Sequence, residues 1–441
     1  MPELFIVSPI GGGGVFGLRV SRKLFQFAIP ILSLLFGFLL VANAAASSGD
    51  AFNDGIDRSD PNFVTASLLV MSPGDELYSC AGHSCIRLEC PTFNLDYCFS
   101  YESESVKEKV LSFFLGKLKM GMFAVPTVEW LKMYEDIGRG ITQYRLNLPP
   151  AAKQRLWKLL DEKVAEGPNL PYDYLERGCA QADLSVLRKA AASQGSSGIV
   201  VPSEWAPVRE GQPLSRPFTR RECVDTFTSA PYPWNCFFLH AICGAELDRE
   251  VSITKSIVVP SDLLSLLRAS TIDGKSVVEG EGVVLLPAKP DAGGARSSAT
   301  AMFTPLVIAS IAVALSVTNW FLKVNWLDWL FLAFQTLVGA FFTYLVAFSK
   351  LTATDWNWLI VPFNLLPLAF WKWRKKWALW FVGVLVLWEI GMIAAPHRLT
   401  DPAYLVLVAA YVSFYVSMAR LPLLRMVGRG VPDAPQRKRI D

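Results

Sequence analysis

Two residues of this chain combine a reactive side chain with a local setting that suits nucleophilic chemistry. Cys179 follows Gly178 at the predicted start of a helix, in the stretch RGCAQADLSVLRKAAAS. The free N–H groups and the positive dipole end of a helix start lower the pKa of a thiol placed there. His83 follows Gly82 between two strand-like runs and is one of only three histidines. A histidine brought alongside would activate the thiol, so Cys179 is a candidate nucleophile and His83 a candidate base, with a structural role for a buried cysteine as the alternative.

The elements that position these residues belong to one domain, which we place at residues 47–284. Short alternating or β-branched runs predict strands at TASLLVMS, SCIRLEC, LDYCFSYE and ITQYRLNL. Helical periodicity predicts helices at VKEKVLSFFLGKL, PTVEWLKMYEDIG, PPAAKQRLWKLLDEKVAE and QADLSVLRKAAAS. The domain is therefore expected to be α+β, and residues 285–300 are expected to form a flexible linker.

The N-terminus has the pattern of an export signal. Arg19, Arg22 and Lys23 precede a long apolar run that ends in Ala42-Asn43-Ala44. This order of charge, apolar run and small residues predicts a signal peptide with an N-terminal extension at residues 1–46, cleaved near residues 44–46. An uncleaved membrane helix is the alternative, because the run approaches the length needed to span a bilayer.

The C-terminal part is expected to be a membrane domain of five helices at residues 301–420. The predicted spans are 303–322, 327–348, 357–371, 377–396 and 402–419. The basic cluster KWRKK at 372–376 and the basic tail at 421–441 would both be cytoplasmic if all five segments cross, which leaves the preceding domain outside. The overall net charge of +3 gives no reason to expect nucleic acid as a partner.

The third predicted span carries polar residues at depth. It contains Asn357, Pro362, Asn364 and Pro367, in DWNWLIVPFNLLPLAFW. Polar side chains inside a membrane are costly and often functional, so Asn364 is a candidate for lining a lipid-access or substrate-docking groove. The alternative is that both asparagines hydrogen-bond to backbone groups freed by the prolines.

The cysteines raise two further alternatives. The stretch SCAGHSCIRLEC holds a compact set of zinc-type ligands, namely Cys80, His83, Cys85 and Cys90. No C-x-x-C pair is present and exported thiols tend to oxidise, so we predict no metal and no other cofactor. Without Cys179 seven cysteines remain, and an odd number leaves at least one thiol free or paired between chains. Proximity in the sequence suggests only Cys80 with Cys90, and Cys223 with Cys236 or Cys243.

Several motifs in fixed order resemble one known family. They are SPGDELYSCAGHSCIRL, NLDYCFSYE, YEDIGRGITQYRLNL, YDYLERGCA, a TRR near residue 219, GAELDRE and VPSDLL, followed by apolar spans. This order resembles the Lnb-type lipoprotein N-acyltransferases. The resemblance implies a papain-like (permuted NlpC-like) periplasmic domain, a polytopic tail in the inner membrane, and a catalytic dyad at His83 and Cys179. The stretch RGCAQAD departs from the NC-x-T that is common in the family.

The resemblance also implies a reaction and its partners. A fatty acyl chain would move from a phospholipid to the thiol of Cys179, and from this thioester to the N-terminal amine of a diacylglyceryl-modified lipoprotein. Two other functions stay open: an exported papain-like cell-wall peptidase or amidase, and a non-catalytic membrane assembly or sensor protein. Five spans are more than a wall hydrolase needs, whereas the RGCAQAD departure favours the non-catalytic alternative.

A papain-like site often contains a third polar group that orients the histidine. Asp96, on the next strand-like segment, is our first choice, and Ser100 and Glu102 are the alternatives. Tyr101 and Arg139 lie in the stretches that resemble the family, and we expect them to line the substrate cleft.

Overall fold

The computed structural model describes residues 57–74, 79–106, 108–173, 177–192, 197–209, 211–228, 233–289, 303–322, 325–395 and 401–428. The chain forms two compact units. The described residues up to 228, together with 250–289, make the first unit, and residues 233–249, together with those from 303 onward, make the second. The predicted signal peptide, most of the linker and most of the basic tail lie outside the described residues.

A seven-stranded sheet organises the first unit, with the strand order β11-β5-β1-β2-β3-β4-β6 and antiparallel pairing between neighbours. Its strands are β1 Thr65–Met71, β2 His83–Cys90, β3 Leu95–Ser103, β4 Lys119–Pro126, β5 Ile141–Leu146, β6 Leu170–Pro171 and β11 Val278–Leu286. Two short hairpins pair β7 Val208–Arg209 with β8 Gln212–Pro213, and β9 Thr271–Ile272 with β10 Lys275–Ser276. An antiparallel sheet packed by helices agrees with the mixed helix–sheet domain expected from the sequence.

Seven helices accompany these strands in the order of the chain. They are α1 Val110–Phe114, α2 Thr127–Asp136, α3 Pro150–Glu166, α4 Cys179–Ala191, α5 Arg220–Thr228, α6 Pro233–Ile242 and α7 Pro260–Ala269. Helix α6 belongs to the second unit and the other six to the first. The sequence placed all of residues 47–284 in one domain, whereas residues 233–249 group with the membrane helices.

The two faces of the sheet are covered differently. Helices α3, α4 and α7 pack on one face, which we call the three-helix face, and bury a large apolar core that includes Leu68, Ile86 and Phe99. Helix α2 packs on the other, which we call the His83 face, around a smaller cluster that includes Met71 and Trp130. Because side chains alternate along a strand, each strand contributes to both.

Local sequence explains where several of these elements begin and end. Helix α3 starts with Pro150, whose missing N–H costs nothing in the first turn, and ends at Gly167 with φ of 67°. Gly82 has φ of 82°, and a Cβ there would lie 2.7 Å from the Met71 carbonyl oxygen. Only glycine fits this turn, so the Gly82-His83 pair fixes the start of β2.

The second unit is helical. Its longer helices are α8 Pro305–Leu322, α9 Asn325–Phe348, α11 Arg374–Ala394 and α12 Pro402–Gly428. By length and composition these give four candidate membrane spans in the described part of the chain. The chain therefore has the features of a multi-pass membrane protein, but the expected bundle of five helices is not confirmed.

The third predicted span does not form a continuous helix. Residues 357–371 contain only a 3-10 turn at Trp358–Ile360 and the short helix α10, Leu366–Ala369. Other groups of the unit satisfy the irregular backbone, since the Gln335 amide donates to the Pro362 carbonyl at 3.0 Å. Two prolines within a short apolar run prevent a continuous helix, and such a segment is tolerated where protein surrounds it.

Candidate active site

The candidate base, His83, is the first residue of β2 and lies opposite Met71 of β1. Its ring is mostly buried, with 15% of the side chain exposed. The pairing of β2 with β3 continues from Ile86 and Phe99 to bring Glu102 across from His83. The sheet register therefore decides which β3 side chains can reach the imidazole.

A short network holds the imidazole. Nε2 of His83 lies 2.7 Å from Oγ of Ser100 and 3.3 Å from Oε1 of Glu102. The Ser100 hydroxyl donates to Glu102 Oε1 at 2.8 Å, so its oxygen is free to accept from the protonated Nε2 of His83. This arrangement leaves Nδ1 as the ring nitrogen available to the thiol.

The candidate nucleophile, Cys179, is the first residue of α4, and Gly178 is the N-cap with no side chain to bond the free N–H groups. Burial would raise the pKa of the Cys179 thiol, but the charge of His83, its hydrogen bond and further hydrogen bonds from Ser84 lower the pKa below its ordinary value. Cys179 as a whole residue is half-buried. Cys179 therefore has the accessibility and the stabilised thiolate of a reactive cysteine.

The electrostatics of the partners agree with those of the thiol. Burial would lower the pKa of His83, but the negative charges of Cys179 and Glu102 raise it well above its ordinary value. Burial opposes ionisation of Glu102, yet the charge of His83 and hydrogen bonds from His83 and Ser100 lower the pKa of this carboxyl. The pKa shifts of all three groups favour their charged forms, namely a Cys179 thiolate, a His83 imidazolium and a Glu102 carboxylate.

A second link, which sequence reasoning missed, ties α4 to β2. The Ser84 hydroxyl donates to Oδ2 of Asp183 at 2.7 Å, and Asp183 is fully buried one turn after Cys179. Burial and the nearby Cys179 raise the pKa of Asp183 well above its ordinary value, so this environment favours the protonated carboxyl. The sequence did contain a signal for this link, because residues four apart, such as Cys179 and Asp183, lie on the same face of a helix.

Asp96, our first choice for the orienting group, does not reach His83. It lies opposite Glu89 of β2, six residues from His83, which is about 20 Å along a strand. Its carboxylate accepts two hydrogen bonds from Arg87, both at 2.8 Å, and one from Thr127 at 2.5 Å. Ser100 and Glu102, the alternatives, take the orienting place instead.

The three predicted substrate-binding residues lie in different surroundings. Tyr101 is on the three-helix face, where it lines a cleft of ≈ 700 Å³ beside α3 and α4. Arg139 is 9% exposed and donates from Nε to the Ser72 carbonyl at 2.8 Å, next to the end of β1. Asn364, in the second unit, bonds the backbone of its own segment, at the Val361 carbonyl and the Leu366 N–H.

The other seven cysteines are all buried, and in the described part of the chain no disulfide joins them, so the pairings suggested from the sequence are not formed. Cys85 lies on the His83 face and Cys90 on the three-helix face, so the two point away from each other. Burial and a hydrogen bond with Cys98 raise the pKa of Cys85 well above its ordinary value. In the described part of the chain, no three His, Cys, Asp or Glu residues are grouped as metal ligands.

Aromatic residues of α2 cover the site on the His83 face. The Trp130 ring lies 6.2 Å from the His83 ring and 5.2 Å from that of Tyr134. Burial raises the pKa of Tyr134 well above its ordinary value, so its hydroxyl stays neutral. The sequence signal was weak, because Trp130 and Tyr134 follow ordinary helical spacing.

Comparison with known proteins identifies a family for the first unit. A mixed helix–sheet domain with a cysteine–histidine pair at the start of a helix defines a class of candidate nucleophilic enzymes. Residues 51–208 match the model of the Lnb N-terminal periplasmic domain, which confirms the resemblance seen in the sequence. No curated protein and no solved structure matches the chain, so the papain-like description of the fold is not confirmed.

Proposed function

We propose that this protein is a membrane-bound lipoprotein N-acyltransferase of the inner membrane, with its catalytic domain in the periplasm. The observation that supports this most strongly is the Cys179–His83–Glu102 row within an Lnb-type domain. The four candidate spans of the second unit suit an enzyme whose substrates both reside in a bilayer.

In the first half-reaction, the Cys179 thiolate attacks an ester carbonyl of a phospholipid. The imidazolium of His83 then gives its proton to the leaving alkoxide, and a lysophospholipid departs. The backbone N–H of Cys179, at the start of α4, is positioned to stabilise the oxyanion. An acyl thioester on Cys179 remains.

In the second half-reaction, the amine of a diacylglyceryl-modified lipoprotein attacks the thioester. Neutral His83 accepts the amine proton, the thiolate of Cys179 leaves, and the acyl chain ends in an amide. Ser100 and Glu102 keep the imidazole oriented through both proton transfers and offset its charge while it is protonated.

The test uses the full-length protein in detergent with a phospholipid and a synthetic diacylated lipopeptide. Mass spectrometry should show the lipopeptide gaining one acyl chain with the wild type and not with Cys179→Ser. No acylated product from folded wild-type protein would refute the proposal. Cleavage of peptidoglycan stem peptides in its place would favour the wall-hydrolase alternative.

A further inference from the structure

Two buried N–H donors on the His83 face have no acceptor in the described part of the chain. They are Nε1 of Trp130 and Nη2 of Arg139, on side chains that are 3% and 9% exposed. A buried donor without an acceptor costs roughly 1–3 kcal/mol, and more when it is charged. Two such donors therefore suit a ligand that is rich in acceptors.

Both donors are grouped around one ring beside the candidate base. The guanidinium carbon of Arg139 lies 5.0 Å from the centre of the Tyr134 ring, and the Trp130 ring lies 5.2 Å from it. Trp130 also contacts His83, with ring centres 6.2 Å apart. Arg139 is fixed at the carbonyl of Ser72, directly after the β1 residue that pairs with His83.

The charge of Arg139 defines the ligand further. In the described residues its interactions are the bond to the Ser72 carbonyl and the Tyr134 ring, and neither is an anion. A buried guanidinium is normally offset by a carboxylate or phosphate, which it binds through paired N–H groups. The N–H groups of Trp130 and Arg139 thus suit an oxyanion that is bound close to the reacting groups.

We propose that Arg139 and Trp130 bind the phosphodiester of the acyl donor and thereby select a phospholipid as the source of the acyl chain. This inference rests on the proposed acyl transfer. Both substrates of that reaction carry acyl esters on a glycerol-derived backbone, but only the donor carries a phosphate. In a glycerophospholipid the glycerol backbone alone separates phosphate from ester carbonyl, which matches donors that lie beside His83. Arg139 and Trp130 therefore keep Cys179 from removing acyl chains of the acceptor.

The experiment compares two donors with the same acyl chains, a glycerophospholipid and a diacylglycerol, on the full-length protein without acceptor. Intact-mass measurement follows the rate of thioester formation at Cys179. The wild type should react at least about tenfold faster with the phospholipid, as a charge-assisted hydrogen bond would give. Arg139→Gln should lose that preference, because its rate with the phospholipid falls to about its rate with diacylglycerol.

Two further variants separate this role from a structural one. Trp130→Phe keeps an aromatic side chain but removes Nε1–H, and should reduce the phospholipid preference about threefold to tenfold. Arg216→Gln is the matched control, because Arg216 also lies over a ring, that of Phe218, and donates to a carbonyl, that of Trp205. It should leave the preference unchanged. An undiminished preference in both Arg139→Gln and Trp130→Phe would overturn the inference.

A binding measurement distinguishes failure of this inference from failure of the proposed function. If wild-type protein forms no thioester with either donor, the acyl transfer itself is refuted. Binding of short-chain phosphatidylglycerol to Cys179→Ala protein is then followed by phosphorus NMR, with inorganic phosphate as competitor. Binding that Arg139→Gln weakens at least about tenfold supports the phosphate site, and binding independent of Arg139 refutes it.

Discussion

The three-helix face and the His83 face of the same sheet differ in what they bury. The three-helix face buries a continuous apolar core under α3, α4 and α7, where Leu156, Leu187 and Leu263 are fully enclosed. The His83 face buries an imidazole, a serine hydroxyl, a thiol and two N–H donors without acceptors. Among the described residues, the partnerless buried atoms on the three-helix face are carboxyl oxygens, Oδ2 of Asp161 and Oδ1 of Asp183, whereas on the His83 face they are N–H donors close to the candidate base. The two faces therefore differ in the kind of group they leave without a partner, and the donors of the His83 face suit an acceptor from a ligand.

Cys179 connects the two faces. Its helix packs on the three-helix face, yet its thiol meets His83, so the large core fixes the position of the nucleophile. The hydrogen bond from Ser84 to Asp183 strengthens the same connection. Changes to the groups in contact with His83 should therefore affect reactivity first, and changes on the three-helix face should affect stability first.

The largest effect is expected at the dyad. Cys179→Ala and His83→Ala should each reduce lipopeptide acylation at least about a thousandfold, because the nucleophile or its base is lost. Cys85→Ala, two residues from His83 but buried, should keep activity within about threefold while costing roughly 1 kcal/mol of stability for the small cavity. Product mass and thermal unfolding of full-length variants provide both readouts. If Cys85→Ala and Cys179→Ala lost acylation activity equally, Cys179 could not be distinguished from Cys85 as the nucleophile.

A matched pair of acids tests the orienting group. Glu102→Gln should lower acylation about tenfold to a hundredfold, since it weakens both orientation and charge balance at His83. Because Glu102 raises the pKa of His83, its removal should also move the alkaline limb of the pH–rate profile to lower pH. Asp96→Asn should leave activity within about threefold and cost less than about 1 kcal/mol, since its pair with Arg87 is solvent-screened. The opposite ranking in the rate assay would restore Asp96 as the orienting group.

Thiol alkylation should separate Cys179 from the buried cysteines. The lowered pKa of Cys179 gives it a larger thiolate fraction at pH 6.5 than an ordinary thiol, whose pKa of about 8.5 leaves it almost fully protonated. Iodoacetamide should label Cys179 at least about tenfold faster in the wild type than in His83→Ala at this pH. Peptide mapping should find Cys85 and Cys98 unlabelled without denaturant. Identical pH profiles for both proteins would show that His83 does not activate the thiol.

The smallest effect is expected beneath the nucleophile, on the three-helix face. The pKa of Asp183 is raised in the folded protein, so its contribution to stability is complete at low pH and is lost as pH rises above the pKa of the unfolded chain. The free energy of unfolding of Asp183→Asn should equal that of the wild type near pH 4 and exceed it by the order of 1 kcal/mol at pH 8. Thermal unfolding at the two pH values measures this difference. A variant that is less stable than the wild type at pH 8 would mean that Asp183 is ionised.

Local sequence was sufficient for part of this account. A cysteine after glycine at a helix start and a histidine after glycine at a strand start made Cys179 and His83 candidates, because both positions depend on short-range backbone geometry, and the resemblance to the Lnb family joined them as a pair. The mixed helix–sheet domain followed by a helical membrane region also followed from periodicity and apolar length. These features need no knowledge of which strand pairs with which.

Features that depend on pairing or packing were out of reach. Period two puts Asp96, Ser100 and Glu102 on one face of β3, but only the register with β2 shows which of them meets His83. Apolar composition made residues 357–371 resemble a span, although the prolines divide it into short turns. Helix α6 is too short to span a membrane, so the sequence assigned it to the first domain. Only its packing shows that it belongs to the second unit.

Direct detection of the acyl-enzyme is the measurement closest to the central claim. Full-length wild-type protein is incubated with a phospholipid alone and then analysed by intact mass and peptide mapping. One acyl group should appear on Cys179, removable by hydroxylamine as a thioester is, and absent from Cys179→Ala and His83→Ala. Acylation of the lipopeptide acceptor without any adduct on Cys179, or an adduct that His83→Ala still forms at the wild-type rate, would contradict this account.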